Sequence, residues 1–275
     1  MSKHIYDSQT KSRAFVDTFT GFWRYRELIV LLVKRDLSIR YKRSLFGIGW
    51  SLLNPLLTSL VLWVVFVQIF AQRFPDGASF APYVLSGVLI VIFFQQGFNQ
   101  AADAIAQGAA ILMKVYVPPQ IFAFAGAVSN AFNFSFGLIA LAILSWITGD
   151  GVSIWFFMVI PMMVCMLMYI TGLGLLISIL YIRFQDTRNV VAVLLLLMTY
   201  LTPVFYPKEI LSGPILWIAT ANPLTSYSDI FRHVFSNTGT ATHGDWVFII
   251  TTSLVCLLVG IRTFVKAWPK TVVML

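Results

Sequence analysis

The sequence has 275 residues, of which 59% are hydrophobic and 11% charged, and its formal net charge is +8. Soluble domains carry roughly 25% charged residues, so the composition argues against a water-soluble enzyme. The aromatic content argues against a disordered chain. An all-α polytopic membrane protein remains, and the basic excess is read first as a topology signal.

Residues 1–21 are polar and are expected to form a loose cytoplasmic N-terminus. Residues 22–45 form an amphipathic interface helix. Tyr25, Ile29, Val33, Leu37, Tyr41 and Leu45 recur every fourth residue, with Arg24, Lys34, Arg35, Lys42 and Arg43 off that row. A strict four-residue row drifts around a helix of 3.6 residues per turn, so a bend or break near Asp36 is expected. Such a helix lies in the headgroup plane, its basic face toward anionic lipid or a partner. A plain positive-inside anchor accounts for the same charges.

Residues 46–275 read as one transmembrane unit. Stretches at 44–72, 77–102, 115–149, 151–182, 189–207 and 243–264 come close to or exceed the ~20 residues that cross a hydrocarbon core, which predicts six spanning helices. Between the fifth and sixth, residues 210–228 contain Gly213, Pro214, Asn222 and Pro223. They read as short re-entrant helices in the outer leaflet, where irregular backbone must be covered by protein or water. Six spans place both termini on one side. If that side is cytoplasmic, sixteen Lys and Arg residues lie inside, and only Arg73, Lys208 and Arg232 lie outside, as the positive-inside rule requires. Trp146, Trp155 and Trp268 fit interfacial belts. No cleavable signal peptide is expected at the N-terminus.

The chemistry that is missing narrows the function. No Gly-x-x-x-x-Gly-Lys-[Ser/Thr] loop is present to cradle phosphates, and there is no His-Glu-x-x-His or clustered Cys/His metal site. His4, His233 and His243 are scattered, and Cys165 and Cys256 read as unpaired apolar thiols. No catalytic residue is assigned. Asp103, Asp150, Asp186 and Asp245 all fall at segment ends, so ion coupling has no intramembrane carboxylate. Uphill transport would draw its energy from another polypeptide.

Four constellations remain. Residues 112–119 form a basic break ending in Pro118-Pro119, read either as a short helix pressed against a cytosolic partner or as a plain turn. Trp63, Phe66 and Phe70 share one face of the first span, and Tyr200, Phe205 and Tyr206 cluster near the outer end of the fifth. These aromatics either line a translocation path, stacking on sugar rings, or face lipid and the interface. Asn54, Gln68, Gln95, Gln96, Asn130 and Asn133 fit interhelical hydrogen bonds as well as a hydrated path, and Gly172 with Gly174 favours close helix packing. In the loop 183–188, Asp186 serves either a local ion pair or a partner contact.

Several of these pieces fall into an ordered set of motifs. Arg35-Asp36-Leu37, Arg40-Tyr41, Ser44, Gly47, Trp50 and Pro55-Leu56 come first. Residues 114–119 (Lys-Val-Tyr-Val-Pro-Pro), 182–187 (Ile-Arg-Phe-Gln-Asp-Thr) and 202–207 (Thr-Pro-Val-Phe-Tyr-Pro) follow, then Asn222-Pro223 and Phe231-Arg232. Over about residues 22–265 the chain resembles the membrane subunit of type 2 ABC exporters, in the branch that exports polysaccharide. It departs from that pattern at Phe46, Val117, Pro119 and Gln185.

The resemblance implies a homodimer in a bacterial or archaeal cytoplasmic membrane, docked on two ATP-binding subunits. Those subunits would carry the ATP and Mg; this chain would hold no cofactor and bind no nucleic acid. Lys114, Val115, Tyr116, Arg183 and Asp186 would feel the ATPase, and Arg40, Tyr41, Lys42 and Arg43 would guide a lipid pyrophosphate. The cargo would be a polyprenyl-pyrophosphate-linked glycan of the O-antigen, galactan or teichoic-acid type. The rivals are a drug or lipid exporter of the same superfamily and a membrane enzyme acting on lipid-linked sugars.

Overall fold

The computed structural model describes residues 24–42, 44–47, 49–70, 80–115, 117–149, 151–204, 206, 208–236 and 241–272. Over these residues the protein is all-helical: α1 (Arg26–Tyr41), α2 (Gly49–Phe70), α3 (Phe80–Gln107), α4 (Ala109–Leu112), α5 (Gln120–Thr148), α6 (Val159–Arg183), α7 (Thr187–Leu201), α8 (Gly213–Ala221), α9 (Pro223–Ser236) and α10 (His243–Thr271). One 3-10 turn, Ile154–Met158, leads into α6, and another, Lys208–Ile210, precedes α8.

Local chemistry sets several of these boundaries. α5 ends at Gly149, whose φ of 87° is a left-handed conformation that a Cβ opposes. The turn before α6 starts at Ser153, whose Oγ accepts the Trp155 N–H at 3.2 Å. α10 opens on a reciprocal cap: the Asp245 N–H donates to Thr242 Oγ1 at 3.3 Å, and the Thr242 N–H donates to Asp245 Oδ2 at 2.8 Å.

Four helices are long and apolar enough to cross a membrane: Pro82–Gln107, Gln120–Thr148, Ile154–Arg183 and His243–Thr271. α2 adds 22 residues with no charged side chain, and α7 is a shorter apolar helix of 15 residues. Of the six expected spans, then, four meet the combined length and hydropathy of a membrane span among the described residues, α2 has the length of one, and α7 is shorter. The short helical pieces expected in 210–228 are α8 and α9.

α3 is the hub. Of its most apolar stretch 72% is buried within the chain, against 33–39% for α5, α6 and α10. It can therefore carry Gln95, Gln100 and Asp103, none of them exposed, which a lipid-facing helix could not bear cheaply. α6 and α10 meet along Gly172 and Gly260, and Gly174 lies against Ala101 of α3, so the close packing expected of the Gly172 and Gly174 pair is present.

α1 departs from expectation. It runs unbroken through Asp36 to Tyr41. It buries Ile29, Leu32 and Val33, an i, i+3, i+4 set on the side packed against α5, in place of the whole four-residue row. Leu45, the last member of that row, lies beyond the helix and is fully exposed. Asp36 is held where the bend was expected: Gln100 Nε2 donates to its Oδ2 at 3.3 Å and Arg35 Nη2 to its Oδ1 at 3.0 Å.

Candidate functional site

The polar groups of the helices gather in three places. The first is an open cavity of about 290 Å³ where α1, α2, α3 and α5 converge. Its lining includes Arg40, Trp50, Asn54, Gln96, Asn130 and Asn133. The floor is a hydrogen-bonded chain. Tyr41 Oη contacts Ser51 Oγ and donates to Asn133 Oδ1, Ser51 Oγ donates to the same oxygen at 3.2 Å, and Asn130 Nδ2 donates to the Phe93 carbonyl at 2.8 Å. Arg40 donates from Nη2 to Gln100 Oε1 at 2.8 Å and pairs with no carboxylate among the described residues.

The second place is the end of the bundle that carries Lys114. α4 is one turn long and ends at Leu112, upstream of where a helix was expected, and Lys114 and Val115 lie exposed in the turn after it. Arg183, Phe184 and Asp186 are exposed between α6 and α7. The local ion pair that was one of the two readings of Asp186 is absent among the described residues. Arg188 instead reaches α3, donating to Asp103 Oδ1 from Nε at 3.0 Å and from Nη2 at 2.8 Å, with its guanidinium 5.4 Å from the Tyr181 ring centroid.

The third place is the opposite end, where the sequence marked Phe231-Arg232 and residues 202–207 as motifs but gave Arg232 no role. Arg232 is 1% exposed. Its Nη2 donates to the carbonyls of Pro203 and Val204 at 3.1 and 3.2 Å, Nη1 to Tyr83 Oη at 2.9 Å and Nε to Ser86 Oγ at 3.4 Å. Its Cζ lies 3.6 Å from the centroid of Tyr83. Asp229 Oδ1 is 3.8 Å away, and the other carboxylate oxygen of Asp229 takes Lys208 Nζ at 2.8 Å. A planar fork of donors suits this set of carbonyls, hydroxyls and ring. Counting Arg232 as an outer-loop charge hid its role. The available signal was an arginine set among Phe231, Val234 and Phe235 on one short helix.

α7 is thus fastened to the hub by polar clips more than by apolar packing. Arg188 meets Asp103 at one end, and Gln95 Nε2 donates to the Leu195 carbonyl at 3.0 Å and to Thr199 Oγ1 at 2.5 Å in the middle. Arg232 holds the turn that follows. Val190, Val193, Leu194, Leu196 and Leu197 stay exposed along the helix.

The sequence-derived residues divide accordingly. Arg40 and Tyr41 meet at the cavity, and Lys42 is exposed beside it. Tyr206 and Tyr200 are brought together, Tyr206 Oη donating to the Tyr200 carbonyl at 2.9 Å, and Tyr200 is 63% exposed. Arg43, Tyr116, Phe205 and the side chains of Trp63, Phe66 and Phe70 lie outside those described. No group of three or more His, Cys, Asp or Glu residues among the described residues is arranged to hold a metal.

Known proteins share this layout of sequence. The profile of the ABC-2 type transporter family matches residues 27–236. The O-antigen export system permease protein RfbA of Myxococcus xanthus is 30% identical over 217 residues, covering 78% of this chain and 82% of the relative. RfbA of Klebsiella pneumoniae is 24% identical over 87% of this chain and 92% of its own length. The capsule polysaccharide export inner-membrane protein CtrC of Neisseria meningitidis serogroup A is 26% identical over 88% and 91%.

Proposed function

The chain belongs to the ABC-2 type transporter family, and from that premise we propose that it is the membrane subunit of a polysaccharide exporter. Two copies form the channel in the cytoplasmic membrane, with both termini on the cytoplasmic side. Two separate ATP-binding subunits, carrying ATP and Mg, drive it. The cargo is a glycan linked to a polyprenyl pyrophosphate. The observation that carries this reading is that relatives named for O-antigen and capsule polysaccharide export align with between 78% and 88% of the chain.

The geometry supports a division of labour. The exposed turn at Lys114 and Val115 is joined to α3 through the single turn of α4, so a push on that turn would act on the hub helix. Tyr116, Arg183 and Asp186 are the other residues assigned to the ATPase. The Asp103–Arg188 pair and the Gln95 bonds would pass the push to α7, which carries Tyr200, and Phe205 and Tyr206 follow it in sequence. Together with Trp63, Phe66 and Phe70 of α2, these are the aromatics assigned to the path. Arg40, Tyr41, Lys42 and Arg43 would attract the pyrophosphate at the entrance.

Two outcomes follow from this reading. Depleting the chain in its native cell should leave intact lipid-linked polymer on the cytoplasmic leaflet, measured by its amount and sidedness. Unchanged glycan with raised drug sensitivity would favour a drug exporter, and shortened polymer a synthetic enzyme. Separately, Asp103→Arg should lower transport-coupled ATP hydrolysis several-fold while moving stability by less than about 1 kcal/mol, since the pair is partly exposed. The double swap with Arg188→Asp should restore coupling. Loss that the swap does not rescue would remove the pair from the relay.

A further inference from the structure

The cavity between α1, α2, α3 and α5 has more shape than electrostatic attraction of a pyrophosphate needs. We propose that it is a binding site for a phosphorylated sugar, holding the sugar nearest the lipid anchor while Arg40 takes its phosphate. The inference rests on the export reading and goes beyond it, because it makes the permease a reader of one particular sugar of its cargo.

Three observations carry it. First, Arg40 offers a guanidinium with a single described hydrogen bond, to a neutral carboxamide, and no carboxylate partner among the described residues. A fork of free N–H donors at a cavity wall matches phosphate oxygens. Second, the side chains of Asn54 and Gln96 line the cavity, are exposed, and make no hydrogen bond among the described residues. Each supplies a donor and an acceptor from one carboxamide, which is the pairing that vicinal hydroxyls satisfy. Asn133 and Asn130 are already engaged, so they hold the floor while Asn54 and Gln96 stay available. Third, Trp50 lines the same cavity with its ring braced edge-on by Phe46, the centroids 5.6 Å apart. An indole face accepts the C–H face of a pyranose. One cation, free carboxamides, hydroxyls and one indole within about 290 Å³ accommodate a single phosphorylated ring and not a polymer.

A phospholipid headgroup shares part of this chemistry, a phosphate with or without hydroxyls, and the test separates the two. The complete complex, purified with its ATP-binding subunits, is titrated with two photoreactive short-chain polyprenyl diphosphates, one bare and one bearing a single N-acetylhexosamine. Vesicles of phosphatidylglycerol or phosphatidylcholine serve as competitors. Labelling is mapped to peptides, and half-saturation is read for each probe.

The sugar-bearing probe should label α2 and α3 around Asn54 and Gln96, with half-saturation about tenfold below that of the bare probe, the size expected of two net hydrogen bonds. Asn54→Ala and Gln96→Ala together should erase that preference. Both side chains are exposed and unengaged, so the variant should fold, and unchanged thermal unfolding checks this. Equal half-saturation of the two probes by the wild-type complex would overturn the sugar site and leave the export reading standing. Displacement of the sugar probe by phosphatidylglycerol at equal concentration would overturn it in favour of a lipid headgroup. Failure of either probe to label the wild-type complex anywhere would overturn both readings.

Discussion

Arg232→Ala should destabilise the fold by about 3–5 kcal/mol, the cost of breaking a buried charged network on one side. The substitution leaves the Pro203 and Val204 carbonyls, Tyr83 Oη and Ser86 Oγ without the donors they now have. It also leaves Asp229 balanced by Lys208 alone. Little water reaches a residue that is 1% exposed to replace those bonds. Arg232→Lys should recover part of the loss, because an ammonium can answer Asp229 but cannot fork between two carbonyls and lie flat on a tyrosine ring. Gly87→Ala gives an independent check. Its Cβ would stand 2.8 Å from Arg232 Nη2 and 3.2 Å from the Val204 Cα, pushing on the same junction without removing a charge. Thermal unfolding of the detergent-purified protein reads all three. An unchanged midpoint for Arg232→Ala would mean that α9 is held to α3 by apolar packing alone.

The consequence for transport lies in what Arg232 joins. Its partners come from the start of α3, the turn after α7 and α9. α9 is in turn bonded to α10, through Tyr227 Oη and Ser253 Oγ at 2.6 Å and through Ser226 Oγ, which donates to Asp245 Oδ1 at 2.9 Å. A variant that survives folding should therefore lose more export than accumulation, since the short helices after α7 would be unhooked from the hub.

The contrast between this junction and the cavity shows what the sequence could disclose. Helix positions followed from long uncharged stretches, because the membrane makes the satisfaction of backbone groups the dominant constraint. Arg40, Tyr41, Ser44 and Trp50 stood out as a spaced motif, and the structure gathers them at one cavity. Periodicity failed at α1. A row of apolar residues every four positions suggested a bend at Asp36, whereas Gln100, sixty-four residues away, holds Asp36 within a continuous helix. Arg232 and Arg188 were opaque for the same reason. Their partners, Tyr83 and Asp103, lie far off along the chain, and a charge near the end of an apolar segment looks the same whether it is solvated or buried. Gln95 and Gln96 are neighbours in sequence, yet one clips α7 and the other lines the cavity. Only the rotation of α3 tells them apart.

Gly260→Val is the second substitution expected to act strongly. A Cβ at Gly260 would lie 2.3 Å from the Gly172 carbonyl oxygen and 2.9 Å from its Cα, and one at Gly172 would lie 2.5 Å from the Cys256 carbonyl. Both obstacles are backbone, so no rotamer change relieves them and α6 must part from α10. Overpacking of this kind costs about 1–3 kcal/mol, and a branched side chain between two backbones falls at the top of that range. Apolar helices gain little from association when lipid is the alternative, so close backbone approach matters more here than in a soluble core. Gly172→Ala with Gly260→Ala should cost less than the sum of the two single changes, because the first separation makes room for the second. Gly244→Ala provides the control, since its Cβ meets nothing nearer than Thr242 Oγ1 at 3.4 Å. Unfolding midpoints should fall for the α6–α10 variants and hold for Gly244→Ala. Equal midpoints would show that the contact is tolerant and that α10 is held chiefly through its bonds to α9, which would raise the expected cost of Arg232→Ala.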